Sequence, residues 1–413
     1  MKIAIVGSGI SGLVCARALY REHDITVFEA DNWIGGHTHT VDVEVAGQEV
    51  AVDTGFIVYN DRTYPHFIAL LETLGLRGLA TRMSFSVTNE VTGLEYCGSN
   101  LNGLFSQRRN LLSPAFLRML ADIVRFNREA PSMLSQHSNP SLADYLQVQG
   151  YGDEFRDNYL LPMAAAIWSG PVGEIGEFPV QQFVRFFDNH GLLQIRDRPQ
   201  WRVVPGGSRS YIEPLVAPLR DRIHLNTPVR SVARDQDGVS IGLDGGGVRF
   251  DQVILACHSD QALRMLSDAS HREREVLSAI PYQENDVVLH TDASLLPGKR
   301  RAVAAWNYRL TGDTKVPATV TYHMNTLQGL AVDADVCVTL NQTASIDPAT
   351  ILGRWQYMHP VFNRASVAAQ SRREEIDGEN RTHYCGAYWH NGFHEDGVRS
   401  ALPVARRLGG SLR

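Results

Sequence analysis

Residues 1–40 read MKIAIVGSGISGLVCARALYREHDITVFEADNWIGGHTHT, and the spacing of the glycines decides how the rest is read. The apolar run Lys2 to Val6 predicts a strand that stops at Gly7. Gly9 and Gly12 then complete G-S-G-I-S-G, and a helical pattern follows. Gly7 allows the tight turn, Gly9 lets backbone approach a pyrophosphate without a Cβ in the way, and Gly12 lets helix and strand pack closely. Ser8 and Ser11 stand in the same turn, with the helix N-terminus facing the anion. The next apolar strand, Asp24 to Phe28, ends in Glu29, twenty residues past Gly9, where a carboxylate can accept hydrogen bonds from a ribose diol. Strand, glycine turn, helix, strand and acid together describe a dinucleotide cradle.

Beyond Glu29 come Gly35-Gly36-His37-Thr38, two alternating stretches (Thr40 to Val45, Glu49 to Val52) and Asp53-Thr54-Gly55-Phe56. This order resembles the flavin-containing amine oxidase and phytoene desaturase superfamily, in which a Gly-Gly-Arg turn lies against the pyrophosphate and a later D-x-G lies near the flavin. The resemblance implies FAD as cofactor, with Gly36, His37, Thr38, Gly55 and Phe56 added to its site. His37 departs from the pattern. It stands where the superfamily usually has Arg, and a neutral imidazole gives up the fixed charge and bidentate fork of guanidinium.

Two later blocks fit the same resemblance. RVVPGGSRSYI (202–212) leads through an amphipathic run to Ile223–Val229, where the resemblance implies that the Val229 backbone meets the adenine. Near the C-terminus, a strand ending at Gly386 and a helix starting near Asp396 would aim backbone N–H groups at the flavin pyrimidine, where negative charge grows on reduction. Gly386, Ala387, Asp396, Gly397 and Val398 are the candidate contacts, although Ala387-Tyr388 replace the usual acid after the glycine.

The implied fold class is α/β: a Rossmann-type FAD-binding domain (1–60, 202–265, 370–413) interleaved with an α+β substrate domain (61–201, 266–369), as in amine oxidases. A chain of 413 residues with 44% hydrophobic and 20% charged content can bury a core of that size. The net charge of −6 argues against nucleic-acid binding. Five scattered cysteines (Cys15, Cys97, Cys257, Cys337, Cys385) without a C-x-x-C suggest a reduced, cytoplasmic protein and no metal site. The most apolar stretch, Leu160 to Trp168, is broken by Pro162 and far shorter than the roughly 20 residues of a spanning helix. Because Lys2 to Val6 reads as the nucleotide strand, it is not expected to be a secretory signal.

Whole phrases narrow the resemblance: DTGFIVYNDRTYPHF (53–67), MSFSV (83–87), LFSQRRNLLSP (104–114), AAIWSGP (165–171), RPQWRVVPGGSRSYI (198–212) and CGAYWHNGFHEDG (385–397). They are similar to a flavoprotein family that forms the N-terminal half of plant cyclopropane fatty-acid synthases and, in bacteria, is often associated with lipid methyltransferases. That similarity implies a lipid or fatty acyl substrate, and FAD-dependent dehydrogenation or desaturation of unsaturated or methyl-branched chains. Two alternatives stay open: a flavoprotein subunit that partners a lipid methyltransferase, or an amine oxidase.

The catalytic candidates are less defined. The three lysines are Lys2, Lys299 and Lys315, and none falls in the region 282–286 where amine oxidases keep a lysine near flavin N5. Tyr388, Trp389 and His390 are pinned near the isoalloxazine by the closing motif. Glu284 and His290 lie on an alternating strand, where each is a base or simply a polar edge residue. Facing strands at Trp306–Tyr308 and Tyr322–His323 would line an acyl tunnel or pack the core. His359 is a candidate for covalent flavin attachment, or an ordinary histidine before Pro360. In 104–128, Phe116, Met119, Leu120, Ile123 and Val124 share one helical face, and Arg118, Asp122, Arg125 and Arg128 the other. With Arg108-Arg109 before it, this segment is a candidate peripheral membrane contact or an ordinary amphipathic helix.

Overall fold

The structure is a computed structural model describing residues 1–170, 172–194, 196–312 and 318–412. Lys315, and Pro171 of the phrase at 165–171, lie outside the described residues.

Strand β1 (Lys2–Val6) is central in a five-stranded parallel sheet ordered 223–224, β2 (Asp24–Phe28), β1, 252–255, 382–384. Its register pairs Ile5 with Val27 on one side and Ile254 on the other. Helices cover the face carrying Ile3, Ile5, Val27 and Ile254, while the antiparallel strands 231–250 and the helices after them cover the face carrying Ala4, Val253 and Leu255, so both faces are buried, as a parallel sheet requires. Helix α1 (Ile10–Leu19) is buried on nearly every side because the closing helix, His394–Arg407, packs along it. The strands of this sheet come from the beginning, middle and end of the chain. The segments between them build the second lobe.

That lobe holds a seven-stranded sheet ordered 351–360, 282–290, 337–340, 320–323, 306–310, 85–89, 94–97. Its long antiparallel pair sets Asn285 opposite Tyr357 and Gln283 opposite His359, so these four side chains share one face. Trp306 pairs with Tyr322, so the facing aromatic strands exist, and both rings are half-buried against the sheet's core. The hairpin β3 (Thr40–Val45) and β4 (Gln48–Asp53) packs Val43, Val45 and Val52 on that sheet and joins the lobes. Helices between 101 and 190 form a separate apolar core around Phe126, Phe155 and Phe183.

Within that helical region the reading of 104–128 needs correction. The helix Pro114–Glu129 buries Phe116, Met119 and Phe126, but Asp122 is buried with them and Val124 is exposed. The Asp122 carboxylate accepts the Gly152 N–H at 3.0 Å and pairs with Arg125, satisfying an acid on the packed face. The outward face is Leu117, Ala121 and Val124. Among the described helices, none is long and apolar enough to cross a membrane.

Candidate active site

The glycine turn is shaped as its sequence requires. Gly7 sits at φ +104°, and a Cβ there would stand 2.9 Å from the Ala256 carbonyl oxygen. A Cβ on Gly12 would collide with the Gly7 carbonyl. On Gly9 it would meet nothing within 4 Å, so no contact within the chain calls for glycine there, and the open space lies directly before the first turn of α1. A group that needs close backbone approach explains it. Ser8 and Ser11 are buried in the same turn. Glu29 is held by that turn: one carboxylate oxygen accepts the Ser8 N–H (2.8 Å) and hydroxyl (2.6 Å), and the other accepts the Asp31 N–H (3.0 Å). The oxygen that Ser8 occupies has both acceptor sites filled, and the other, with one donor, keeps a lone pair for a ribose hydroxyl. The Thr227 N–H bonds to the Glu29 carbonyl at 2.7 Å and brings the half-buried Val229 segment alongside.

Gly36, at φ +58°, is the residue that brings the Gly35–His37 turn onto Gly9. Thr38 donates to or accepts from the Tyr211 hydroxyl at 2.5 Å, and Tyr211 in turn meets His394 Nε2 at 2.7 Å. His394 stacks on Phe56 at 3.8 Å, and Gly55 must be glycine because a Cβ would strike the His37 carbonyl. Asp53 is fully buried and accepts from Thr40, from the Ser208 N–H and hydroxyl and from Gln328, tying the D-x-G turn to the 205–208 loop. Burial lifts its carboxyl to about 6 despite these donors.

His37 lies 5.2 Å from the Tyr357 ring, 5.4 Å from His359 and 6.5 Å from His258. Among the described residues its Nε2 is buried without a hydrogen-bond partner. Burial depresses it to about 4, with the Met358 carbonyl opposing, and burial takes His258 and His359 to about 3. An unpartnered imidazole nitrogen beside an anion cradle fits a pyrophosphate. Asn285, fully buried, lies 3.3 Å from His359 and takes an N–H from Asn341. Of this group only His37 is marked by sequence as a cofactor contact, with His359 a candidate for another role. Tyr357, His359 and Asn285 are signalled by strand alternation alone, and no linear pattern marks which face meets the cradle.

The closing motif divides its candidates between the cradle and the core. A Cβ on Gly397 would be 2.5 Å from the Ile10 side chain, so the N-termini of α1 and the closing helix adjoin. Val398 is buried, and Asp396 accepts the Asn391 and Phe393 N–H groups at 3.1 and 2.9 Å, with burial raising it to about 7. Gly386 donates its N–H to Ser400, and Ala387 follows it in a short 3-10 turn. Tyr388 and Trp389 are buried in the core beneath that turn, with the guanidinium of Arg373 5.5 Å over Trp389. His390 is half-buried, and burial with Arg399 and Arg373 lowers it to about 4. Glu284 is exposed on the sheet face opposite Asn285, apart from the His37 group. His290 is buried, with Thr339 at 2.7 Å on Nε2 and the Asp292 N–H on Nδ1.

A cavity of about 580 Å³ opens at the first turn of the closing helix and is lined by Arg62, His66, Asp188, His190, Phe393 and Arg399, among others. His190 donates Nδ1–H to the Phe186 carbonyl (2.9 Å) and stacks on Phe186 at 3.9 Å. Its tautomer is therefore set, with Nε2 as the acceptor. Helix α2 (Pro65–Thr73) is fixed at the rim by Glu395, which accepts the His66 and Phe67 N–H groups and His66 Nδ1.

Comparison with known proteins agrees with this geometry. Residues 10–291 match the flavin containing amine oxidoreductase family. The chain belongs to that family. FAD is accordingly its cofactor, and the family is one of oxidoreductases. A Mycobacterium tuberculosis protein named as a flavin-containing monoamine oxidase is 26% identical over 262 residues, 62% of this chain and 56% of that protein. The chain thus spans little more than half the length of the curated relatives it matches. Among solved structures, a variant of putrescine oxidase (17% identity, TM-score 0.72) and a CLA-producing fatty acid isomerase from P. acnes (16%, TM-score 0.70) each superpose over 98% of both chains. Both share the fold.

Proposed function

We propose that this family member is an FAD-dependent oxidoreductase acting on unsaturated or methyl-branched acyl chains of lipids. The observation that carries the reading is the aromatic seam leading from the closing motif into the helical lobe. Phe393 stacks on Phe186 at 5.2 Å, Phe186 lies 4.8 Å from Trp168, and Trp168 lies 4.9 Å from Phe178. Phe393 and Trp168 are only half-buried, so the seam offers an apolar surface next to the cofactor site. Such a surface suits a hydrocarbon, while Arg62, His66 and Arg399 line the cavity at its Phe393 end.

Bound FAD supplies a two-electron acceptor for hydride abstraction. The residues of this chain hold and shape around it. Glu29 would hold the ribose and His37 the pyrophosphate, and the first turn of the closing helix would offer backbone N–H groups. His190 Nε2 is fixed as an acceptor at the cavity wall, and burial, which lowers it to about 4, keeps it neutral there as a hydrogen-bond acceptor. Lys2 and Lys299 are exposed, so among the described residues no lysine serves the site.

Amine oxidation is the second reading. It is supported by Asp188, which lines the cavity and has no salt bridge among the described residues. A partner role beside a lipid methyltransferase is also proposed, from the sequence resemblance. The test is the anaerobic visible spectrum of purified protein titrated with phospholipid carrying unsaturated or methylated chains, and in parallel with simple amines. Bleaching by lipid alone supports the acyl reading, and bleaching by amines overturns it. If neither reduces a flavin that dithionite reduces, the titration is repeated with a lipid methyltransferase present.

A further inference from the structure

Eleven large apolar side chains are exposed among the described residues, and five of them crowd into one stretch: Leu101 (75%), Leu111, Leu112 (88%), Leu117 and Val124. They protrude from consecutive elements, the turn of helix at Leu101–Leu104, the 3-10 turn Arg108–Leu112 and the outer face of helix Pro114–Glu129. Solvent-exposed leucines on successive turns mark an unmet apolar surface.

Around them stand exposed cations. Arg108 donates to the Phe105 carbonyl and the Asn102 side chain, and Arg109 to the Gly93 carbonyl. Arg301 lines an open hollow of about 560 Å³ together with Leu101. Among the described residues, none of Arg108, Arg109, Arg118, Lys299 and Arg301 forms a salt bridge with a carboxylate, although the chain as a whole carries a net charge of −6. Positive charge is concentrated where the leucines are, on a protein that is otherwise acidic.

We infer that this leucine and arginine surface docks on an anionic phospholipid bilayer, with Leu111 and Leu112 entering the headgroup boundary and Arg108 and Arg109 meeting lipid phosphates. Charge complementarity selects the occupant. An isologous pairing with a second copy would bring the same cations face to face, whereas an anionic leaflet attracts them and accepts the leucines. The exposed positions also lack the aromatic residues that enrich protein interfaces. The docking helix turns Phe116 and Met119 inward to the core that includes Phe186, so the bilayer would lie against the lobe that carries the aromatic seam. The surface does not depend on the acyl reading, because vesicles would be bound whether or not the flavin oxidises their chains.

The test is flotation of the FAD-loaded protein with phosphatidylcholine vesicles and with vesicles of phosphatidylcholine plus phosphatidylglycerol, at low and high salt. Binding is expected only to the phosphatidylglycerol vesicles, weakening with salt. Replacing Arg108→Gln with Arg109→Gln should lower partitioning roughly thirtyfold, from about 1 kcal/mol per surface cation. Leu111→Ser with Leu112→Ser should lower it by at least about tenfold. All four side chains are exposed, so retained flavin absorbance shows that the variants fold. Equal flotation with both vesicle types, no flotation, or unchanged binding by either pair of substitutions overturns the inference. So does a dimer in sedimentation velocity that the leucine substitutions abolish without any vesicle binding.

Discussion

In the proposed FAD site, Glu29 would act as a fixed acceptor and His37 as a titratable donor. Glu29 is positioned by the Ser8 N–H and hydroxyl, which converge on one of its oxygens, and by the Asp31 N–H on the other. Glu29→Gln keeps the shape but sets an amide against one of these donors or against the ribose. FAD binding to apoprotein, followed by flavin fluorescence quenching, should weaken by at least about tenfold, the scale of a lost charged hydrogen bond. An unchanged affinity would remove Glu29 from the site. His37 makes a second prediction. In apoprotein it is neutral down to about pH 4, and an adjacent pyrophosphate favours its charged form. Binding therefore takes up a proton, so FAD affinity should fall as the pH rises above about 4, and His37→Ala should flatten that dependence. Calorimetry in two buffers of different ionisation enthalpy reads the proton directly. The glycines, Glu29 and His37 are legible in the sequence because a dinucleotide turn forces its residues into fixed local spacing. Tyr357, His359 and Asn285 are not, since a strand's period gives two faces without saying which one meets the cradle, and His258 lies past the end of its strand, where no period applies.

Elements are held to one another by a few polar staples, and these are the least visible features in the sequence. Arg234, on the strand 231–234, makes a bidentate pair with Glu273 at 2.6 and 2.9 Å, while the Tyr384 hydroxyl donates to the same carboxylate at 2.6 Å. Both charged side chains are nearly inaccessible, and although burial pushes Glu273 up, Arg234 and Tyr384 hold it at about 2. The cluster connects a hairpin, a helix and the last parallel strand, which come from residues 231 to 384. Arg234→Met leaves a buried charge unpaired and should cost about 3–5 kcal/mol in urea unfolding. Adding Glu273→Leu should restore most of that loss, and a failure to recover would mean that packing rather than charge is at stake. The same long-range effect explains the one acid on the buried face of helix Pro114–Glu129. Its 3.6-residue period is plain in the sequence, but Asp122 turns inward because its acceptor role is filled by Gly152, thirty residues away. No local pattern could have announced that contact.

Across the whole molecule, the buried histidines set how stability follows pH. Burial lowers His37, His190, His290 and His390 to about 4, and His258, His359 and His394 to about 3, against an unfolded value of about 6.5. Between about pH 6.5 and 4 the unfolded chain therefore binds protons at these sites that the native apoprotein refuses, and stability rises with pH. Asp53 and Asp396 act in the opposite direction. Raised by burial to about 6 and 7, they are protonated in the native state where unfolded carboxyls are not, so each favours folding as the pH falls. Seven imidazoles outweigh two carboxyls, and each net proton is worth about 1.4 kcal/mol per pH unit. The midpoint of thermal unfolding of the apoprotein should accordingly drop steadily on acidification from about pH 6.5 to 4. His290 tests the account away from the cofactor: it is fully buried, and both its nitrogens are engaged by neutral partners. His290→Gln should lower the midpoint at neutral pH yet make its acid dependence shallower. A midpoint that stays level across this window, or an undiminished slope in His290→Gln, would show that these rings protonate in place without cost to the fold.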